Sequence, residues 1–132
     1  MSNETTLTVT GNLVADPDLR YTPTGQAVAS FRIAATPSYY DQASKTWKDG
    51  DSLFLACQAW RQLAENAAES LTKGMRVIVT GRLRQRTYDA ADGTKRTVYE
   101  LQADDLGPSL RTTTTQITKA ARVNGHDSAG NG

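Results

Sequence analysis

The chain has 132 residues, 38% of them hydrophobic and 22% charged, with a net charge of +1, which fits one compact domain followed by a loose tail. A single cysteine, Cys57, excludes an internal disulfide and a thiolate zinc site. The single histidine, His126, sits among Gly, Asn and Ser near the C-terminus, too poorly anchored to serve as a general base. No catalytic residue, metal or cofactor is therefore expected. With no apolar run of about 18–20 residues and no basic-then-apolar leader, the expectation is a cytoplasmic protein without membrane contact.

Residues 7–14 alternate Leu7, Val9, Gly11 and Leu13 with Thr8, Thr10 and Asn12, the period of a half-buried strand. Residues 16–25 are rich in Asp, Pro, Thr and Gly and read as a loop holding a short extended piece. A second strand is predicted over 27–40, bending at Pro37, which cannot donate to a ladder. Residues 41–50 form a polar hairpin tip carrying Trp47. A third strand spans 51–60, and a helix over 61–72 repeats Leu63, Ala64, Ala67, Ala68 and Leu71 at helical spacing. Lys73 and Gly74 supply its basic last turn and C-terminal glycine.

The fourth strand covers 75–88 and the fifth 95–105, joined by a turn containing Asp92-Gly93. The order β-β-β-α-β-β, with one helix between strands three and four, predicts an all-β five-stranded oligonucleotide-binding barrel over residues 1–108. A β-sandwich shares the pattern but does not need the helix. Residues 109–119, with Leu110, a threonine run and Ile117, predict a sixth, extended strand outside the barrel. Residues 120–132 have almost nothing to bury and are expected to be disordered. Asp104 and Asp105 are adjacent on a strand, so they are expected on opposite faces rather than converging on a substrate.

Charge is unevenly placed. Between Lys73 and Arg96 stand seven basic residues (Lys73, Arg76, Arg82, Arg84, Arg86, Lys95, Arg96) against Asp89 and Asp92. Arg82, Arg84, Arg86 and Tyr88 share parity and hence one face of their strand. A phosphate backbone would bridge three such guanidinium groups, and a terminal aromatic offers a base a stacking surface. The alternative is a solvated outer face paired with carboxylates on a neighbouring strand.

On strand three, Leu53, Leu55, Cys57 and Ala59 make the better core face, which turns Phe54, Gln58 and Trp60 outward. The competing assignment packs Phe54 or Trp60 under the helix or at a subunit contact. Tyr39 and Tyr40 fall on opposite faces, one at the surface. Trp47, flanked by Lys45 and Lys48, is a candidate stacking platform. Aromatics interleaved with Arg and Lys on such a barrel predict binding of single strands, because every base has a π-face. Duplex readout would favour a basic recognition helix, whereas this one carries Glu65 and Glu69. A protein-interaction or RNA-binding module of the same fold is the alternative. Cys57 reads as a buried thiol, with a bridge between subunits as the other option.

The stretches GNLVADPDLRYTPTGQAVASFRIA and WRQLAENAAESLTKGMRVIVTGRLRQRTY, with WKDG, LFLACQAWR and LGPSLR, resemble the bacterial single-stranded DNA-binding proteins, above all their actinobacterial members. The resemblance extends over residues 5–119. It implies an oligonucleotide-binding homotetramer, nucleoid-associated, that wraps and protects single-stranded DNA in replication, recombination and repair. It places the stacking aromatics on Tyr39, Phe54, Trp60 and Tyr88, with the usual Trp and Phe exchanged at 54 and 60. It places basic groove contacts on Arg84 and Arg86, to which residue reasoning adds Arg82, Lys73 and Arg76, with Trp47 as a further stacking platform. It also implies that residues 109–119 clasp a neighbouring subunit, with Leu7, Val9, Leu110 and Ile117 as expected oligomer contacts. Family members end in an acidic tip that recruits replication and repair enzymes. This sequence ends at Asp127-Ser128-Ala129-Gly130-Asn131-Gly132 without one, which leaves two alternatives open, a shortened paralogue or a piece of a longer chain, and with them the recruitment of such partners.

Overall fold

A computed structural model describes residues 4–120; the expected tail, with His126 and the C-terminal end, falls almost wholly outside the described residues. The elements are β1 (Thr5–Leu13), β2 (Asp18–Tyr21), β3 (Ala27–Ala35), β4 (Ser38–Asp41), β5 (Thr46–Asp49), β6 (Leu53–Trp60), α1 (Arg61–Ser70), β7 (Arg76–Asp89) and β8 (Lys95–Pro108). The main sheet runs β1-β7-β8-β6-β3-β2. A two-residue ladder, Asn12↔Ala34 and Leu13↔Ile33, joins β1 to β3 and brings the sheet back on itself. The one parallel contact among the described residues, Ala56–Gln58 of β6 against Glu100–Gln102 of β8, completes the circuit. The expected five-stranded barrel is thus present, with β2 added at its edge.

Alternation sets what lies inside. Ala29, Ile33, Cys57, Ala59, Val77, Val79 and Leu101 are all at or near zero exposure in the barrel core. Ala64, Ala67 and Leu71 of the helical segment bury against this core. Fully burying a leucine such as Leu71 stabilises by roughly 1.5–3 kcal/mol. β6 passes directly into α1 at Arg61, whose φ of 59° lies in the left-handed region. Such a corner turns the chain sharply right after Trp60.

Several expected boundaries shift. The second predicted strand breaks at Pro37 into β3 and β4, and β4 leaves the barrel to pair only with β5. Trp47 is therefore within a strand, opposite Tyr40, rather than at a hairpin tip. The helix ends at Ser70, so Lys73 is not in its last turn. Gly74 (φ 90°) instead shapes the turn into β7, which Met75 N–H closes onto the Thr72 carbonyl. Leu53, expected in the core, is 56% exposed because β6 begins beyond the barrel wall.

On β1, Leu7 and Val9, expected as oligomer contacts, are partly buried against the barrel core and partly exposed, and Thr6 and Thr8 are exposed. A further correction concerns β8. β8 carries a bulge: Thr80 pairs with Asp105 but Gly81 with Ala103. The extra residue, Asp104, breaks the alternation, so both aspartates are exposed instead of facing opposite sides. Residues 109–120 form no strand within the chain, although Ser109 is buried and its N–H donates to the Arg76 carbonyl.

Cys57 is 1% exposed inside the barrel, which fits the buried-thiol assignment. Burial pushes its pKa from the ordinary 9.0 up to about 12. Below pH 9 the thiol is protonated in both folded and unfolded chains. Between pH 9 and about 12 only the unfolded chain ionises, so stability falls as pH rises, by at most about 1.4 kcal/mol per pH unit. The expected result is that the stability advantage of the wild type over Cys57→Ala, from urea midpoints, is constant below pH 9 and shrinks above it. A difference that grows with pH, or rapid native-state reaction with a thiol reagent, contradicts the assignment.

Candidate nucleic-acid interface

The outward residues of four adjacent strands converge on one surface. In the order β7-β8-β6-β3, they are Arg82, Arg84, Arg86 and Tyr88, then Glu100 and Gln102, then Phe54, Gln58 and Trp60, then Ser30 and Arg32. The registers Arg82↔Gln102, Gln102↔Gln58 and Ala34↔Phe54 tie these rows together across the sheet. An open depression of about 610 Å³ is lined by Gln58, Trp60, Arg82, Arg84, Gln85, Arg86, Glu100 and Gln102.

The aromatics are held rather than loose. Trp60 Nε1 donates to Gln102 Oε1 at 3.0 Å, and Gln102 Nε2 donates to Gln58 Oε1 at 2.9 Å. This chain fixes the indole edge while 37% of the residue stays exposed. Phe54 is 58% exposed on the same face, as the alternation of β6 predicts. At the far end of the arm formed by β7 and β8, the Arg86 guanidinium lies 5.5 Å from the Tyr88 ring centroid, a cation–π contact. Trp47 is 70% exposed and meets Tyr40 edge-on, with ring centroids 5.6 Å apart. Tyr39 stands opposite Lys48 on the same hairpin and is also exposed.

The arginine row meets both descriptions given to it from sequence. Arg82 pairs with Asp104 at 3.1 Å and with Glu4 at 3.6 Å, Arg84 with Glu4 at 3.4 Å, and Arg86 with Glu100 at 3.2 Å. The hydrogen bond and charge of Glu100 hold Arg86 even more firmly protonated than usual. Exposed pairs of this kind are worth about 0–1 kcal/mol each, so a polyanion can displace the carboxylates at little cost.

Lys73 and Arg76 lie elsewhere. They line a groove of about 620 Å³ with Asn12, Ser70, Met75 and residues 112–118, where Arg76 Nε is buried without a partner. Arg76 is six to ten residues from the arginine row along β7, or about 20–33 Å at about 3.3 Å per residue. Leu110 and Ile117 are exposed on the segment after the barrel. Sequence reasoning missed Arg32, Gln102, Glu4 and the exposed Tyr99. For Arg32 the signal was available, because it shares parity with Ser30 and lies opposite the buried Phe31 and Ile33. For Glu4 there was none, since its contacts are 78 and 80 residues away in sequence.

A small five-stranded barrel with one helix between its third and fourth barrel strands, bearing aromatics and arginines across one face, defines an oligonucleotide-binding class of protein. The sequence model of the Single-strand binding protein family matches residues 3–109, and the chain belongs to that family. It is 60% identical over 121 residues to single-stranded DNA-binding protein 2 of Streptomyces coelicolor, covering 92% of this chain and 61% of that protein. It is 55% identical over 128 residues to the single-stranded DNA-binding protein of Mycobacterium bovis, covering 97% and 78%. Among solved structures, the small single-stranded DNA-binding protein from Streptomyces coelicolor superposes with a TM-score of 0.72 at 38% identity, over 83% of this chain and 97% of that one. Among the described residues, no helix is long and apolar enough to cross a membrane, and no group of side chains could hold a metal ion.

Proposed function

We propose that this chain binds and protects single-stranded DNA without sequence preference, stacking bases on aromatics and pairing phosphates with arginines. The observation that carries this is the shared outward face of Trp60, Phe54, Tyr88 and the Arg82–Arg84–Arg86 row. Trp60, Arg82, Arg84 and Arg86 border the same depression. Tyr39 and Trp47 extend the aromatic surface onto the β4–β5 hairpin. Stacking contributes about 1–3 kcal/mol per base and does not discriminate among bases. The names of the relatives support the same assignment.

The protein acts as a homotetramer serving replication, recombination and repair, associated with the nucleoid. Leu110 and Ile117 are exposed on a segment unpaired within its own chain, which suits coverage by a second subunit. Lys73 and Arg76, next to that segment, are removed from the stacking surface and make weaker candidates for DNA contact than the arginine row.

Filter binding tests the function. Poly(dT) should bind far more tightly than a duplex of equal length and more tightly than poly(rU). Its affinity should fall with salt at a log–log slope of about −0.7 per phosphate contacted. Duplex binding as tight as poly(dT) overturns the proposal, and preference for poly(rU) transfers it to RNA. Sedimentation of the unliganded protein should give a tetramer.

A further inference from the structure

We propose that Arg32 is the phosphate anchor for the half of the surface that holds Phe54 and Trp60; this rests on the single-strand reading above. Arg32 is exposed on the outer face of β3, between the buried Phe31 and Ile33. Its register partner on β6 is Ala56, a small residue that leaves the guanidinium space. Two residues along β3, Ala34 pairs with Phe54, and four residues back Val28 pairs with Trp60. Arg32 therefore stands between the two aromatics.

Its electrostatic condition differs from that of every other arginine on this face. Arg82, Arg84, Arg86 and Arg96 each hold a carboxylate, whereas Arg32 has no hydrogen-bond, ion-pair or ring partner among the described residues. The depression beside it contains Asp16, Asp18 and Glu100. All three are engaged elsewhere: Asp16 accepts the Lys73 N–H, Asp18 pairs with Arg20, and Glu100 with Arg86.

Two consequences follow from charge and distance. The arginine row on β7 is three strands from β3, or about 14 Å at about 4.8 Å per strand. That exceeds the screening length of about 8–10 Å at physiological salt. A strand of DNA passing over β3 beside Phe54 thus receives its nearby positive charge from Arg32, while at Trp60, two strands from β7 and bordering the same depression, it also meets the arginine row. A phosphate at Arg32 also displaces no carboxylate, so the whole contact appears as counterion release. A phosphate at Arg84 exchanges with Glu4, and its salt signature is smaller.

The test is a salt series of poly(dT) binding for the wild type, Arg32→Lys, Arg32→Gln, Arg32→Glu and Arg84→Gln, with melting temperatures recorded alongside. Arg32 is exposed and makes no intramolecular bond, so all Arg32 variants should melt with the wild type. Arg32→Gln should lose about 5- to 10-fold in affinity near 0.1 M salt and about 0.7 of the salt slope. Arg32→Lys should keep the slope, Arg32→Glu should lose more, and Arg84→Gln should change the slope less than Arg32→Gln. Affinity within twofold and an unchanged slope in both Arg32→Gln and Arg32→Glu overturns the assignment. Failure of the wild type to prefer poly(dT) would instead remove the single-strand reading on which it rests.

Discussion

Replacing Trp60 by alanine should weaken poly(dT) binding by about 5- to 150-fold, the range given by about 1–3 kcal/mol for one stacked base at about 1.4 kcal/mol per tenfold. The indole is the platform best prepared for a base. Its edge is tied to Gln102, which is tied in turn to Gln58, so little side-chain freedom remains to be lost on binding. Its exposed part borders the depression with Arg82, Arg84 and Arg86. Truncation should lower the melting temperature modestly, because much of the residue is covered and its bond to Gln102 is lost, but the fold should survive since Trp60 lies outside the buried core cluster. Trp60→Phe separates the two roles of the ring. It keeps a stacking face and gives up the bond to Gln102, and should retain most of the affinity. Binding of Trp60→Ala within twofold of wild type would exclude the ring as a stacking platform.

Gly81→Ala should produce the largest loss of stability. Gly81 sits at the β8 bulge, where the backbones of β7 and β8 come together. A Cβ there would lie 2.8 Å from the Gln102 carbonyl carbon and 2.9 Å from Ala103 Cα, and closer still to the Gln102 oxygen. All three are main-chain atoms held by the ladder, so the strands must part. Overpacking in a core typically costs about 1–3 kcal/mol, and a clash with backbone belongs at or above the top of that range. The expected fall in melting temperature is about 10 °C for a domain of this size. Gly107→Ala is the control, since a Cβ at Gly107 meets nothing within 4 Å. Equal melting temperatures for the two variants would contradict the account. Gly81 also backs Gln102, so the same substitution should loosen Trp60 and weaken DNA binding in whatever protein remains folded.

Much of the fold was legible because strand alternation is a local property. The odd–even pattern of residues 53–60 told inside from outside, and only Leu53, beyond the barrel wall, departed from it. Asp92-Gly93 marked the long hairpin, and Gly93 does adopt φ 86° there. Pro37 marked the break between β3 and β4. What escaped depends on pairing between distant segments. The bulge that exposes both Asp104 and Asp105 arises from a register shift against β7 that neither strand announces by itself. Leu7 and Val9 also pack partly against the barrel core, a contact that depends on how β1 is set against the other strands.

The candidate site divides along the same line. The row of Arg82, Arg84, Arg86 and Tyr88 was readable from parity, whereas its carboxylate partners were not, because Glu4 reaches it from just before β1 and Asp104 from β8. A lone arginine in an alternating strand looks like an ordinary solvated residue. Arg32 acquires meaning only when β3 is set beside β6 and its neighbours prove to be paired elsewhere.

The central claim is that bases stack on the Trp60 face while phosphates meet the arginines. The most direct measurement is the fluorescence of Trp60 in a Trp47→Phe background, titrated with poly(dT) and with duplex of equal length at several salt concentrations. Strong quenching by poly(dT), little by duplex, and a midpoint that moves steeply with salt are the expected results. Unquenched Trp60 at saturating poly(dT), or equal quenching by duplex, would contradict the claim.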